Sequence, residues 1–326
     1  MEFLQIKSLI FGHAIGDALG VPVEFESREE LMSTPVEDMR GYGSYPVPAG
    51  AWSDDTSMTL CLMDSLANKG KIDYADIMDR FVRWYKKAEY TPTGVMFDIG
   101  AATRHALLAY APDSIIIPKT EPLLCGGNNE YDNGNGSLMR IAPLSVYFYA
   151  RHGTLVTSDD MRELHEISML THAHPRSLMA CGIYLLIAVR LLDNANITKA
   201  IGDGLNAAHN YYARQSDFAA EVKSYERLWN IVEFAALTAD SIKSSGYVVD
   251  TLEAALWCLL TTDSYRNCVL KAVNLGDDTD TVGAIAGGLA GLAYGWKNIP
   301  QEWKDGILRA DFIEDLCRKF YTAINQ

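Results

Sequence analysis

Nowhere along its 326 residues does the sequence gather lysines and arginines into a cluster. With 28 basic against 42 acidic residues and a formal net charge of -14, it lacks the basic stripe that nucleic acid or an anionic membrane surface requires. Cysteine is sparse as well. The six residues Cys61, Cys125, Cys181, Cys258, Cys268 and Cys317 show no C-x-x-C spacing, which argues against a zinc ribbon or a disulfide framework and fits a reducing cytoplasm. Long apolar runs are missing too: the most apolar stretch, 282 to 296, has 15 residues, against about 20 needed to cross a bilayer. The N-terminus, MEFLQIKSLIFGHAIGDALG, carries an early Glu, a single Lys and no clean cleavage site, so it reads as a first helix and not a signal peptide.

Alternating apolar runs are equally few, the main strand candidate being SIIIP at 114–118. Helical periodicity dominates instead, and an all-α, single-domain architecture is expected. The predicted helices run over 3–19, 55–69, 73–88, 96–110, 136–152, 159–171, 175–193, 197–213, 221–243, 249–261, 265–274, 279–295 and 309–323. Two longer irregular segments, 26–51 and 112–135, interrupt them, and such loops inside a helical chain usually carry function.

Two helices are glycine-striped. Gly12, Gly16 and Gly20 recur at i, i+4 in the first, and Gly283, Gly287, Gly291 and Gly295 do so near the C-terminal end. Each glycine costs about 1 kcal/mol of helix propensity, which is tolerated where another backbone must approach closely. The stripes therefore predict a tightly packed central helix and not a site.

The chemistry lies in two acidic runs, WSDDTSM at 52–58 and LGDDTDTV at 275–282. Asp, Ser and Thr are ordinary N-caps, and two capped helices with solvated acids would read the same way. Yet both runs offer more oxygen than capping uses, and carboxylates packed together repel unless a cation neutralises them. All the donors are oxygen, with no Cys or His beside either run, so the metal suited to them is Mg²⁺ or Mn²⁺, and four or five carboxylates would accommodate two ions. Glu24, between Val23 and Phe25, looks buried and is either a site residue or a partnered loop acid. Asp98, in GVMFDIGAATRHAL, is either a helix cap or a site acid. GNGSLMR at 134–140 is a glycine-rich turn whose N–H groups and Ser137 suit a phosphate or ribose, but it is not a P-loop. THAHP at 171–175 places two histidines in a short loop, as donors to an anionic ligand or as structural groups.

In this order, GHAIGDALGVPVEF, WSDDTSM, FDIG, GNGSLMRIAPL, THAHP and GDDTDTVGAIAGGLAG resemble the ADP-ribosylglycohydrolase family, including the dinitrogenase reductase-activating members, over about residues 6 to 296. The tail from 297 to 326 falls outside that match and reads as a packed terminal helix. The resemblance implies an all-α domain with a binuclear Mg²⁺ or Mn²⁺ cleft that hydrolyses the bond between ADP-ribose and a protein side chain. It implies Ser53, Asp54 and Asp55 as one ligand set and Asp278, Asp280 and Thr281 as the other, with Ser53 standing where many members have threonine. Glu24 and Asp98 take catalytic roles, either being the general base, with a lean to Glu24. Asn135, Gly136, Ser137 and His172 line the ADP-ribose pocket, while Asp277 falls where the family pattern usually has glycine and is left out. The expected substrate is an ADP-ribosylated protein, arginine-linked first, with free ADP-ribose as product. Serine-linked adducts are one alternative; another is a protein that binds and inhibits a cognate ADP-ribosyltransferase.

Overall fold

The two glycine stripes meet. In the computed structural model, described for residues 1–114, 117–193 and 196–325, the first helix crosses the glycine-rich one at backbone contact. A Cβ on Gly16 would lie 2.0 Å from the Gly283 carbonyl oxygen, and one on Gly12 would lie 2.4 Å from that of Gly287. No side chain fits in that seam, so the stripe sets how closely the axes approach. The glycines lost in propensity are offset by backbone packing.

The α-helices are α1 (Phe3–Gly20), α2 (Arg28–Ser33), α3 (Asp54–Lys69), α4 (Tyr74–Lys87), α5 (Ala101–Tyr110), α6 (Ala142–His152), α7 (Ser158–Met169), α8 (Pro175–Asp193), α9 (Ile197–Tyr212), α10 (Ser216–Ala219), α11 (Ile231–Ala235), α12 (Val248–Leu260), α13 (Tyr265–Val273), α14 (Thr279–Tyr294), α15 (Gln301–Gly306) and α16 (Ala310–Ile324). Among the described residues there is no strand, only the isolated bridges Gly127–His172 and Gly134–Tyr247. The fold is all-α, as expected. α1 and α14 form its centre, with α3, α8, α12, α13 and α16 around them.

Local chemistry explains the boundaries. Ser53 caps α3 by accepting from the Asp55 N–H, and Gly70, left-handed at φ 66°, ends it. The helix expected from 96 begins only at Ala101, because Asp98 has φ 55° and cannot continue a right-handed helix. The one expected over 136–152 splits into a 3₁₀ turn, Leu138–Arg140, and α6, whose first turn holds Pro143. The segment 221–243 is not one helix. Tyr225, off helical geometry, donates its hydroxyl to the Arg176 carbonyl at 2.7 Å, and Asn230 caps a new short helix by accepting from the Glu233 N–H. In the strand candidate at 114–118, Ile115 and Ile116 lie outside the described residues, and Ile117 N–H closes a turn onto the Ser114 carbonyl.

Two helical stretches, Phe3–Val23 and Pro175–Asp193, are long and apolar enough to span a bilayer, which corrects the expectation that none would be. Both are core elements here, 94% and 83% buried within the protein. The C-terminal α16 packs on α1 and α3, with Lys7 paired to Glu314 at 2.8 Å and Lys319 to Asp64 at 2.9 Å.

Candidate active site

The close crossing of α1 and α14 puts the end of one helix beside the start of the other. A Cβ on Gly20 would lie 2.4 Å from the Asp280 Cα. The chain leaving α1 makes a 3₁₀ turn, Val21–Val23, and delivers Glu24 above the N-termini of α3 and α14. Asp17, fully buried one turn earlier, accepts from Ser53 N–H at 2.9 Å, Thr56 N–H at 3.0 Å and the Thr56 hydroxyl at 2.6 Å. It therefore caps α3 from outside, a role the sequence did not reveal, since the acids within SDDT are the obvious caps.

That leaves the acids of the two runs free. Asp54, Asp55 and Asp280 are buried, and the Asp278 carboxylate accepts not from its own helix but from Asn135 Nδ2 at 2.8 Å. The runs converge: Thr281 Oγ1 donates to Asp55 Oδ2 at 3.2 Å, and Ser53 Oγ reaches the same oxygen at 3.2 Å. Carboxylate oxygens of Glu24, Asp98 and Asp280 lie within 4.8 Å of one another. Asp277, by contrast, is exposed.

So many acids in one buried place shift their protonation. Burial, then the Asp98 charge, pushes Glu24 up to about 9. Burial pushes Asp17 up to about 7. Burial and mutual repulsion raise Asp54, Asp55 and Asp280 well above the carboxylate range, and Asp98 is raised too. After burial, Asp98 is the first of the neighbouring charges that raise Asp54. Tyr45, from the irregular segment 26–51, places its hydroxyl against both Glu24 and Asp98 and its ring 5.0 Å from Phe97. That segment was expected to be functional, yet nothing in its pattern singled out Tyr45.

Three oxygens decide what the cluster suits. Glu24 Oε2, Asp55 Oδ1 and Asp280 Oδ2 are buried without a hydrogen-bond partner, a costly state for carboxylates. Orphaned, all-oxygen and mutually repelling donors fit a hard divalent cation, which would remove both the repulsion and the missing bonds.

Glu24, Asp54, Asp98 and Asp278 of the cluster, with Phe25 and Thr281, line part of a cleft of about 430 Å³. The rest of the lining is uncharged, Thr103, Tyr131, Gly134, Asn135, Gly136 and His172, and meets the acids where Asn135 bonds Asp278. His172 is buried and pushed down to about 3, chiefly by burial and then by the Arg140 charge. Its Nδ1 lies 2.7 Å from the Thr171 hydroxyl, and when that hydroxyl donates, Nε2–H is left toward Gly134 and Gly136. His174 lies apart, accepting from Arg176 N–H. Arg140, wholly buried, donates to the carbonyls of Gly136 and Ile167 and so fixes the glycine turn from below. Ser137 departs from expectation. It is fully buried, with Ser168 donating to its oxygen at 2.8 Å, so it braces the turn instead of facing the cleft.

A family model for ADP-ribosylglycohydrolases matches residues 4–326. The chain belongs to the ADP-ribosylglycohydrolase family. The match takes in the C-terminal tail, which the sequence reading had left outside. Similarity to individual ADP-ribosylglycohydrolases is equally extended. The chain is 35% identical over 321 residues to the ADP-ribosylarginine hydrolase Tri1 of Serratia proteamaculans, covering 98% of this chain and 80% of that protein. It is 30% identical over 295 residues to the ADP-ribosyl-[dinitrogen reductase] glycohydrolase of Rhodospirillum rubrum, covering 90% and 86%. A solved ADP-ribosylglycohydrolase-related protein complex superposes with a TM-score of 0.77 at 32% identity, over 100% of this chain and 99% of that one. The protein is thus a glycosidic-bond hydrolase of this family.

Proposed function

We propose that the protein removes ADP-ribose from modified arginine side chains and so reverses ADP-ribosylation, in the cytoplasm. The observation that carries the reading is the set of unpartnered buried oxygens on Glu24, Asp55 and Asp280, beside a cleft that Glu24, Asp54 and Asp278 line. Two relatives, 35% and 36% identical, are named ADP-ribosylarginine hydrolases, which supports arginine as the linkage.

Ser53, Asp54, Asp55, Asp278, Asp280 and Thr281 would hold two Mg²⁺ or Mn²⁺ ions, with Glu24 beside them. Bound there, the ions supply charge neutralisation and a Lewis-acid hold on substrate oxygens. The chain's own groups do the rest. Water adds to the anomeric carbon of the distal ribose, the carbon–nitrogen bond breaks, and the guanidine leaves with a proton. Glu24 or Asp98 accepts the proton that the water gives up. The oxocarbenium-like charge that develops is stabilised by the surrounding carboxylates. Along the uncharged lining, Asn135, Gly136 and the neutral His172 orient the ADP moiety through N–H donors.

Purified protein with Mg²⁺ or Mn²⁺ should release ADP-ribose from an arginine-modified protein faster than from a serine-linked peptide. Release from the serine-linked peptide alone would overturn the arginine assignment. Release from neither, with both ions tried, would overturn the hydrolase reading of this cleft.

A further inference from the structure

The turn that carries Glu24 is held on one side by the Ser44 hydroxyl, which donates to the Glu24 carbonyl at 2.6 Å, and on the other by the chain before Asp278. Phe25 N–H donates to the Asp277 carbonyl at 2.7 Å, and Asp277 N–H returns a bond to Glu26 at 2.9 Å. This two-bond clasp joins the segment after Glu24 to the segment before Asp278. Both of its central residues are left-handed without being glycine, Phe25 at φ 70° and Asp277 at φ 60°. Such backbone is strained and persists only where its surroundings over-determine it. At Gly276, φ 81°, a Cβ would lie 2.6 Å from the Arg28 backbone nitrogen, so the two segments are in backbone contact.

What over-determines the clasp is Arg28, the first residue of α2. Its Nε donates to the Leu275 carbonyl at 2.8 Å, Nη1 to Ala239 at 2.6 Å and Nη2 to Ile242 at 2.7 Å. All three nitrogens of the fork thus donate to main-chain carbonyls. The two segments it grips lead directly to the cleft. From Ile242 the chain runs to Ser244, whose carbonyl accepts from Asp278 N–H at 3.0 Å, and to Gly246, whose carbonyl accepts from Asn135 N–H at 3.1 Å. From Leu275 it runs to Asp278 and Asp280. Arg28 itself follows Glu24 by four residues. One planar guanidinium thus ties together the three segments that present Glu24, Gly246 with Asn135, and Asp278. A lysine, with one nitrogen, cannot match three carbonyls set in a fork.

We propose that Arg28 is a positioning residue for the metal centre, locking the Glu24 turn, the 239–246 segment and the Gly276–Asp278 turn into the register that brings their ligand oxygens together. The inference rests on the hydrolase reading above for its activity readout, but not for its binding readout.

The test compares wild type, Arg28→Ala and Arg28→Lys, each checked for folding by circular dichroism. Mn²⁺ affinity is measured by calorimetry, and kcat and KM are measured on an arginine-modified protein. Loss of an outer partner of a metal ligand typically weakens metal binding about 10–100-fold, and that is the range expected for Arg28→Ala. Arg28→Lys should recover only part of it, and kcat should fall in step with Mn²⁺ affinity, with a smaller rise in KM because Asn135 is held through Gly246. If Arg28→Ala does not fold, Arg28→Lys decides by the same Mn²⁺ measurement. Unchanged Mn²⁺ affinity and kcat in a folded Arg28 variant, however much its melting temperature drops, would overturn the proposal and leave Arg28 a stability residue. Failure of the wild type to bind Mn²⁺ would instead overturn the metal reading. Mn²⁺ binding without arginine-linked turnover would overturn the substrate while leaving the Arg28 comparison intact.

Discussion

Thr281 and Asp55 are 226 residues apart in sequence, and the threonine hydroxyl donates to the aspartate Oδ2 at 3.2 Å. That bond joins the N-termini of α3 and α14 at the floor of the cleft. It also leaves Asp55 with one oxygen engaged and the other, Oδ1, buried and unpartnered.

Replacing such a carboxylate separates stability from function. Asp55→Ala and Asp280→Ala should each abolish ADP-ribose release while the chain stays folded. Without divalent cation, either variant should melt at or above the wild-type temperature, because a member of a mutually repelling buried set is gone. Added Mn²⁺ should raise the wild-type melting temperature and leave the variants unmoved. Full activity in both variants sinks the two-cluster mechanism.

The pH dependence has a defined sign. Glu24 rises from 4.5 to about 9 and Asp17 from 3.8 to about 7, so the folded, cation-free protein binds more protons than the unfolded chain across that interval. These groups therefore favour folding most below about 4, and their contribution declines as pH climbs toward 9. A cation must displace the protons, so its affinity should increase between pH 6 and 9, with protons released on binding. Calorimetry in buffers of different ionisation enthalpy measures that release, and its absence at pH 6.5 would contradict the assignment.

Glu24 and Asp98 should separate by readout. Glu24 has an unpartnered buried oxygen in the cluster, whereas Asp98 sits partly exposed on the cleft wall. Glu24→Gln is expected to lower both Mn²⁺ affinity and kcat. Asp98→Asn, which keeps an oxygen at the edge of the same group, is expected to lower kcat more than Mn²⁺ affinity. Equal loss of Mn²⁺ affinity in both would assign them one shared role as ligands.

The helix crossing can be tested directly. A Cβ at Gly16 would lie 2.0 Å from the Gly283 carbonyl oxygen, which forces α1 and α14 apart. Gly16→Ala should cost roughly 1–3 kcal/mol of stability as an overpacked contact, read from urea denaturation, despite the better helix propensity of alanine. Activity should fall as well, since the same crossing sets the distance between Glu24 and Asp280. A more stable Gly16→Ala would show that the seam has slack.

Much of this was legible in one dimension. The helical class, the glycine stripes as a packing device and the oxygen-only donor set all follow from local rules: period, propensity and donor chemistry. Those rules failed where a distant contact overrode them. Asp98 reads as a helix start until its left-handed backbone is seen; Ser137 reads as a pocket hydroxyl until Ser168 is found bonded to it. The segment 221–243 has helical composition, but Tyr225 is drawn to Arg176 and the helix breaks.

The sequence by itself determined which chemistry is available, because carboxylates, hydroxyls and glycines at fixed spacings have intrinsic preferences. Only the tertiary structure decided which acids act as caps and which remain free, since Asp17 reaches the start of α3 only where α1 packs against it. It alone assigned Arg28, whose three carbonyl partners lie more than 200 residues away in sequence and are brought within reach of one planar fork by the fold.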